Sequence, residues 1–242
     1  MVVIRYLDAD EDEFLSGRRL ERLIHTMHPT MVTVKVETRS RTSCDTCYSA
    51  SGTLVYDGAH IITCYHVFEC ESNETIKRTS FHALFAANFD AKKNRRCSLV
   101  KFDEKLDLAI LKIKKVPDGN FDVASFCERH LLWDKKSTAP ASLSLSYEHG
   151  IIANIDAFRG DDVITSSASP EDIRVLTMCG MVGREGSSGS SLLNKWGEIL
   201  GISIESNVTD FEGPSGEIQF VGNIIISSSY NQLMDFVNSF QV

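Results

Sequence analysis

Residues 181–202 read MVGREGSSGSSLLNKWGEILGI, and within them GSSGSS spans residues 186–191. A flexible linker of glycine and serine would continue into polar sequence. Here the serines run directly into Leu192-Leu193-Asn194 and then into Gly197 to Ile202, the pattern of a strand, a turn and a second strand. The stretch is therefore a tight loop anchored to a hairpin. Gly186 and Gly189 let such a loop take positive φ and approach a ligand closely. A serine on it can stand exposed while backbone N–H groups converge on an oxyanion.

The rest of the chain sets the loop in context. A length of 242 residues suits one large domain or two small ones. Hydrophobic residues at 43% and charged residues at 24% are ordinary for a globular fold. A net charge of −8 excludes a general basic footprint for nucleic acid. No apolar run approaches the roughly 18–20 residues of a membrane span. The start, MVVIRYLDADEDEF, is short in apolar residues and then acidic, unlike a secretory leader. The seven cysteines are an odd number, which suits free thiols in a reducing compartment. The expected location is thus intracellular, cytoplasmic or nuclear. Cys44 and Cys47 form a C-x-x-C pair with no second pair at matching spacing. A zinc site would have to recruit Cys64 and Cys70 through the tertiary fold, so no metal or cofactor is expected. Sequons at Asn73 and Asn207 matter only in a secreted protein.

Phe14, Leu20, Leu23, Ile24 and Met27 recur at helical spacing behind an acidic first turn, with Asp8 or Asp10 as cap. This predicts an amphipathic N-terminal helix that packs on the domain; a partner-binding arm is the competing use. From Met31 the pattern turns β-like. MVTVKVETR alternates with period two, and YSASGTLVYDGAHIITC reads as two strands around Asp57-Gly58. Further strands are expected at 81–87, 97–103, 108–114, 150–157, 173–180, 190–194, 198–205 and 219–227. Strands at this density without alternating helices indicate an all-β barrel or sandwich. SSYNQLMDFVNSFQV places Tyr230, Leu233, Val237 and Phe240 on one helical face at the C-terminal end. The polar, proline-bearing stretch 134–142, DKKSTAPAS, is the expected interdomain crossing.

Two further stretches carry candidate chemistry. In Ile61-Ile62-Thr63-Cys64-Tyr65-His66-Val67 a histidine follows a strand directly, where it can present its ring to a cleft. Histidine suits general-base work near neutral pH, although a structural role is the commoner one. In Leu106-Asp107-Leu108-Ala109-Ile110-Leu111 a carboxylate opens an apolar strand. It is a turn or cap residue unless it orients the histidine. Asp103, in the charged run FDEK, is its rival.

His66, Asp107 and Ser188 occur in that order. Together the three stretches resemble the trypsin-like (chymotrypsin-fold) serine proteases, of the intracellular, HtrA-like kind without a PDZ domain. The histidine motif is Thr63-Cys64-Tyr65-His66, and the aspartate motif is Asp107-Leu108-Ala109-Ile110-Leu111. The serine motif is Gly186 to Ser191 followed by Gly197 to Ile202. The resemblance covers roughly residues 30–240. It implies two six-stranded antiparallel β-barrels with an N-terminal and a C-terminal helix. The implied division is 1–29 for the helical extension, 30–136 for a barrel carrying His66 and Asp107, and 137–242 for a barrel carrying Ser188.

It further implies that Ser188 is a nucleophile, His66 its base and Asp107 the orienting carboxylate. The N–H groups of Gly186 and Ser188 would form an oxyanion hole. Val182, Ser203, Ile204, Glu205 and Ser206 would line the substrate pocket. An apolar Val182 at its base favours an apolar P1 side chain, against which Glu205 at the rim would favour a basic one. The implied partner is a protein or peptide substrate. The N-terminal helix is the place for self-association or a regulatory partner.

The sequence departs from the family pattern in several places. Ser191 stands where proline is usual and Ser190 where glycine is common. The cysteine pair that brackets the histidine in secreted relatives is missing. Ser187 replaces the aspartate that pairs with a new N-terminus, so activation by cleavage is not expected. A catalytically silent fold used for binding is the competing reading.

Overall fold

In the computed structural model of the chain the described residues are 18–39, 44–68, 78–85, 95–114, 122–126, 136–141, 146–160, 163–165, 173–179, 186–194, 196–212, 218–228 and 230–240. Helix α1, Arg18–Met27, leads into strand β1, Met31–Arg39. Then come β2, Cys44–Val55; β3, His60–Cys64; β4, Arg78–Phe85; β5, Arg95–Asp103; and β6, Leu108–Ile113. These six close into an antiparallel barrel in the order β1-β2-β3-β6-β5-β4.

Alternation explains the barrel. Val32, Val34 and Val36 of β1 are all fully buried. Val32 and Val34 join Leu54, Ile61, Ala83, Cys97, Leu111 and Ile113 in its interior. The predicted hairpin is present: Val55 pairs with His60 across a turn in which Gly58 has φ 75°. Asp57 stiffens the turn by accepting the Ala59 N–H at 2.9 Å.

β3 is buried along its whole length, and β6 at all but Lys112. Their side chains serve two cores, because successive residues point to opposite faces. Ile61 and Leu111 face the barrel interior, while Ile62, Leu108 and Ile110 join a second cluster outside it. That cluster also takes Leu23 and Met27 of α1, Leu193, Ile199 and Ile202. Each such fully buried aliphatic side chain contributes about 1.5–3 kcal/mol.

The second half contains β7, Lys136–Ala141; β8, Ser146–Gly160; β9, Val163–Thr165; β10, Ile173–Cys179; β11, Ser191–Leu193; β12, Ile199–Glu212; and β13, Ile218–Ser228. They form a seven-stranded sheet, β10-β13-β12-β11-β7-β8-β9, with an additional pairing of β10 to β8. Helix α2, Tyr230–Asn238, ends the described chain and returns to the first barrel. Its Leu233, Phe236 and Val237 enter the second cluster. Lys101 Nζ of β5 donates to the Phe236 carbonyl at 2.6 Å, which suits a cation at a helix C-terminus.

The fold is thus mostly β, with one closed six-stranded barrel and two short helices. Within the expected crossing 134–142, residues 136–141 form an unanticipated strand, β7, paired with β8 and meeting β11 at Leu193↔Thr138. Strand β9 was not anticipated at all. The caps Asp8 and Asp10, the helical residue Phe14 and the cysteine Cys70 lie outside the described residues.

Candidate active site

His66 and Asp107 lie 41 positions apart, yet strand register makes them neighbours. β3 and β6 are antiparallel, and Cys64 pairs with Leu108. The chain leaving β3 therefore passes the chain entering β6. His66 begins a short 3-10 turn, His66–Phe68, two residues beyond Cys64. Asp107 is the last residue before β6.

The carboxylate of Asp107 is nearly enclosed, and it accepts three hydrogen bonds. Oδ1 takes the backbone N–H of Tyr65 at 2.8 Å and of His66 at 2.6 Å. Oδ2 lies 2.7 Å from His66 Nδ1. An ionised carboxylate can only accept, so Nδ1 carries the proton and Nε2 holds the lone pair of the neutral ring. The imidazole is 42% exposed as a side chain against 10% for Asp107, so a ring fixed in one tautomer faces outward from a shielded carboxylate. Asp107 itself sits at φ 52°, a left-handed conformation that costs a residue with a Cβ about 1–3 kcal/mol.

Cys64, at the end of β3, places Sγ 3.8 Å from His66 Nε2. Burial, aided by the charge of Asp107, pushes this thiol well above the usual range. It is held protonated and closed to reagents, which is the opposite of an activated nucleophile.

The serine loop is fastened to the same place through its backbone. The Ser188 carbonyl accepts the Ser51 N–H at 2.8 Å, and Ser51 Oγ donates to the Gly186 carbonyl at 2.7 Å. Thr63 Oγ1 donates to the Ser51 carbonyl at 2.7 Å, and the hydroxyls of Thr53 and Ser191 meet at 2.7 Å. Gly189, at φ 80°, fits against the end of β3. A Cβ there would overlap Thr63 Oγ1 and the Ser51 carbonyl oxygen and would approach Cys64 N at 3.1 Å. On the other side Gly189 N donates to Ser203 O at 2.7 Å, and Ser203 N to Ser190 O at 2.8 Å. Ser188 is half-buried at the centre of this frame, while Ser190 and Ser191 are buried.

Residues 50–202 match a family model described as a trypsin-like peptidase domain, which covers more than half of the chain. The chain belongs to the trypsin-like peptidases. No curated protein matches it.

In this trypsin-like peptidase the first two motifs supply a bonded His66–Asp107 pair, and the third lies against β3 beside it. Asp103, the rival carboxylate, accepts the Leu106 N–H at 3.0 Å within the turn. Ser203 and Ile204 are buried on β12, with Ser203 bracketing the serine loop. Glu205 and Ser206 continue the same strand, whereas Val182 lies outside the described residues. Cys44 and Cys47 fall within strand β2, while Cys64 packs behind His66. Sequence reasoning gave Ser51 and Tyr65 no part in the site, and it weighed Cys64 only as a zinc ligand and Thr53 only as a strand residue.

Proposed function

We propose that the protein is a serine endopeptidase that cleaves peptide bonds through an acyl-enzyme on Ser188. His66 takes the Ser188 proton and returns it to the leaving amine, while Asp107 holds the tautomer and stabilises the imidazolium. The N–H groups of Gly186 and Ser188 receive the oxyanion, a task in which one lost donor typically costs about 3–4 kcal/mol. Val182, Ser203, Ile204, Glu205 and Ser206 line the substrate pocket, with an apolar P1 side chain preferred. The seven-stranded sheet serves as the second barrel, its β10 to β8 pairing being consistent with closure. Residues 1–29, 30–136 and 137–242 are then the extension and the two halves, in an intracellular protein.

The observation that carries the reading is the 2.7 Å bond between His66 Nδ1 and Asp107 Oδ2. It sets the imidazole as a base beside the anchored serine loop. The competing reading is a catalytically silent fold used for binding. Labelling with a fluorophosphonate probe separates the two. Wild type should label and Ser188→Ala should not. A folded wild type that never labels would sink the enzyme reading.

A further inference from the structure

Tyr65 makes three separate contacts with one short segment of the chain. Its backbone N–H donates to both the carbonyl (3.1 Å) and Oδ1 (2.8 Å) of Asp107. Its phenol donates to Glu104 Oε1 at 3.3 Å. Its ring stacks on Phe102, with centroids 4.8 Å apart and planes 12° from parallel. Phe102 is the penultimate residue of β5, and Glu104 and Asp107 are the first and last residues of the turn that delivers the carboxylate. That turn must keep Asp107 in a left-handed conformation. Its own fastenings are light: Asp107 N to Glu104 O at 3.3 Å and Leu106 N to Asp103 Oδ1 at 3.0 Å. The β5–β6 ladder places Phe102 opposite Ala109, and its ring, 48% exposed, lies at the surface against Tyr65.

We propose that Tyr65 is a positioning residue whose ring, stacked on Phe102 at the end of β5, clamps the 104–107 turn and so fixes the Asp107 carboxylate on His66. The inference rests on the proposed role of the His66–Asp107 pair. The ring acts through Asp107 and touches no substrate. A parallel stack of this kind adds to the area it buries and opposes the strain at Asp107. Loosening it lets the carboxylate drift from Nδ1. The imidazolium then loses its partner, and His66 gives up its proton at lower pH. Among the described residues, the titratable groups at His66 and this turn include Asp107, the Cys64 thiol, the Tyr65 phenol, Glu104, Asp103 and Lys105.

The test compares wild type, Tyr65→Ala and Tyr65→Phe by fluorophosphonate labelling rate against pH and by NMR titration of His66. Tyr65→Ala should lower the labelling rate about 10- to 100-fold. Its His66 titration should move down by about half a unit or more. Tyr65→Phe keeps the stack and should restore both to near wild type. A simple loss of stability would reduce the folded fraction without moving the titration. If Tyr65→Ala does not fold, Phe102→Ala removes the stack from its exposed side and should lower the titration in the same direction. A folded Tyr65→Ala, or failing that Phe102→Ala, whose His66 titrates as in wild type would overturn the clamp. If wild type does not label, the enzyme reading fails, while the NMR titration still decides the clamp.

Discussion

His66 is held by a nearly enclosed carboxylate that accepts three hydrogen bonds, whereas Ser188 is held by peptide groups and hydroxyls around a glycine. On the barrel side a charge fixes a ring, and the strained backbone at Asp107 is the accompanying cost. On the sheet side no charge is needed, because the loop is defined by how closely its backbone can approach β3. Charge-assisted bonds are roughly twice as strong as neutral ones. Close backbone approach, in contrast, fails abruptly when an atom is added. The two halves of one site should therefore fail in different ways: the barrel side in chemistry with its fold intact, and the sheet side in fold and chemistry together.

The sharpest test of that contrast is Asp107→Asn. The variant should fold, because the amide keeps an acceptor for the Tyr65 and His66 N–H groups. The histidine tautomer is wrong, and the labelling rate should fall about 10^4-fold. A fall under about tenfold would mean that the carboxylate is a structural cap. Next in size is Gly189→Ala. The added methyl meets Thr63 Oγ1 and the Ser51 carbonyl oxygen in a left-handed backbone. Overpacking and strain together should cost about 3 kcal/mol or more, seen as a lowered melting temperature with labelling lost. An alanine variant of wild-type stability would show that the loop is looser than its frame implies.

A smaller effect is expected at the meeting of Thr53 and Ser191. A double-mutant cycle with Thr53→Val and Ser191→Ala should give a coupling near 1 kcal/mol in denaturant unfolding. Zero coupling would remove that pair from the frame. The smallest effect concerns Asp57, far from the site. Burial opposes its ionisation, but the bonds from Ala59 N–H and His60 hold its carboxyl below the ordinary 3.8. Its contribution is present above that value and is lost as the pH falls through the lowered one. Asp57→Asn should therefore lower the melting temperature slightly at neutral pH, where the contribution is fully present, and flatten the acid edge of the stability curve, as thermal melts would record. Because Asp57 is half exposed, solvent screens this contribution.

The barrel was largely legible in the sequence because its strands serve sharply different faces. Val32, Val34 and Val36 alternate with less buried residues, and Asp57-Gly58 marks a hairpin. The continuous apolar runs of β3 and β6 also read as strands, since both of their faces are covered. β7 was not legible. Lys136-Ser137-Thr138-Ala139-Pro140-Ala141 carries no large apolar residue, and proline lacks a ladder donor. The strand tolerates Pro140 because its pairing to β11 is confined to Thr138. Within the site the order of His66, Asp107 and Ser188 was visible. The hydroxyls of Ser51, Thr53 and Thr63 were not, because a small polar residue in a strand looks the same whether its partner is water or a distant carbonyl. Tyr65 was hidden for a related reason: its bond to Asp107 is made by a backbone group that every residue but proline carries.

The bonds named between the serine loop and the barrel share one property with a practical consequence. They join hydroxyls and peptide groups, so salt has little to screen there. Ion pairs across such a boundary would weaken in concentrated electrolyte and tighten on dilution. These neutral contacts should instead keep their strength from dilute buffer to brine.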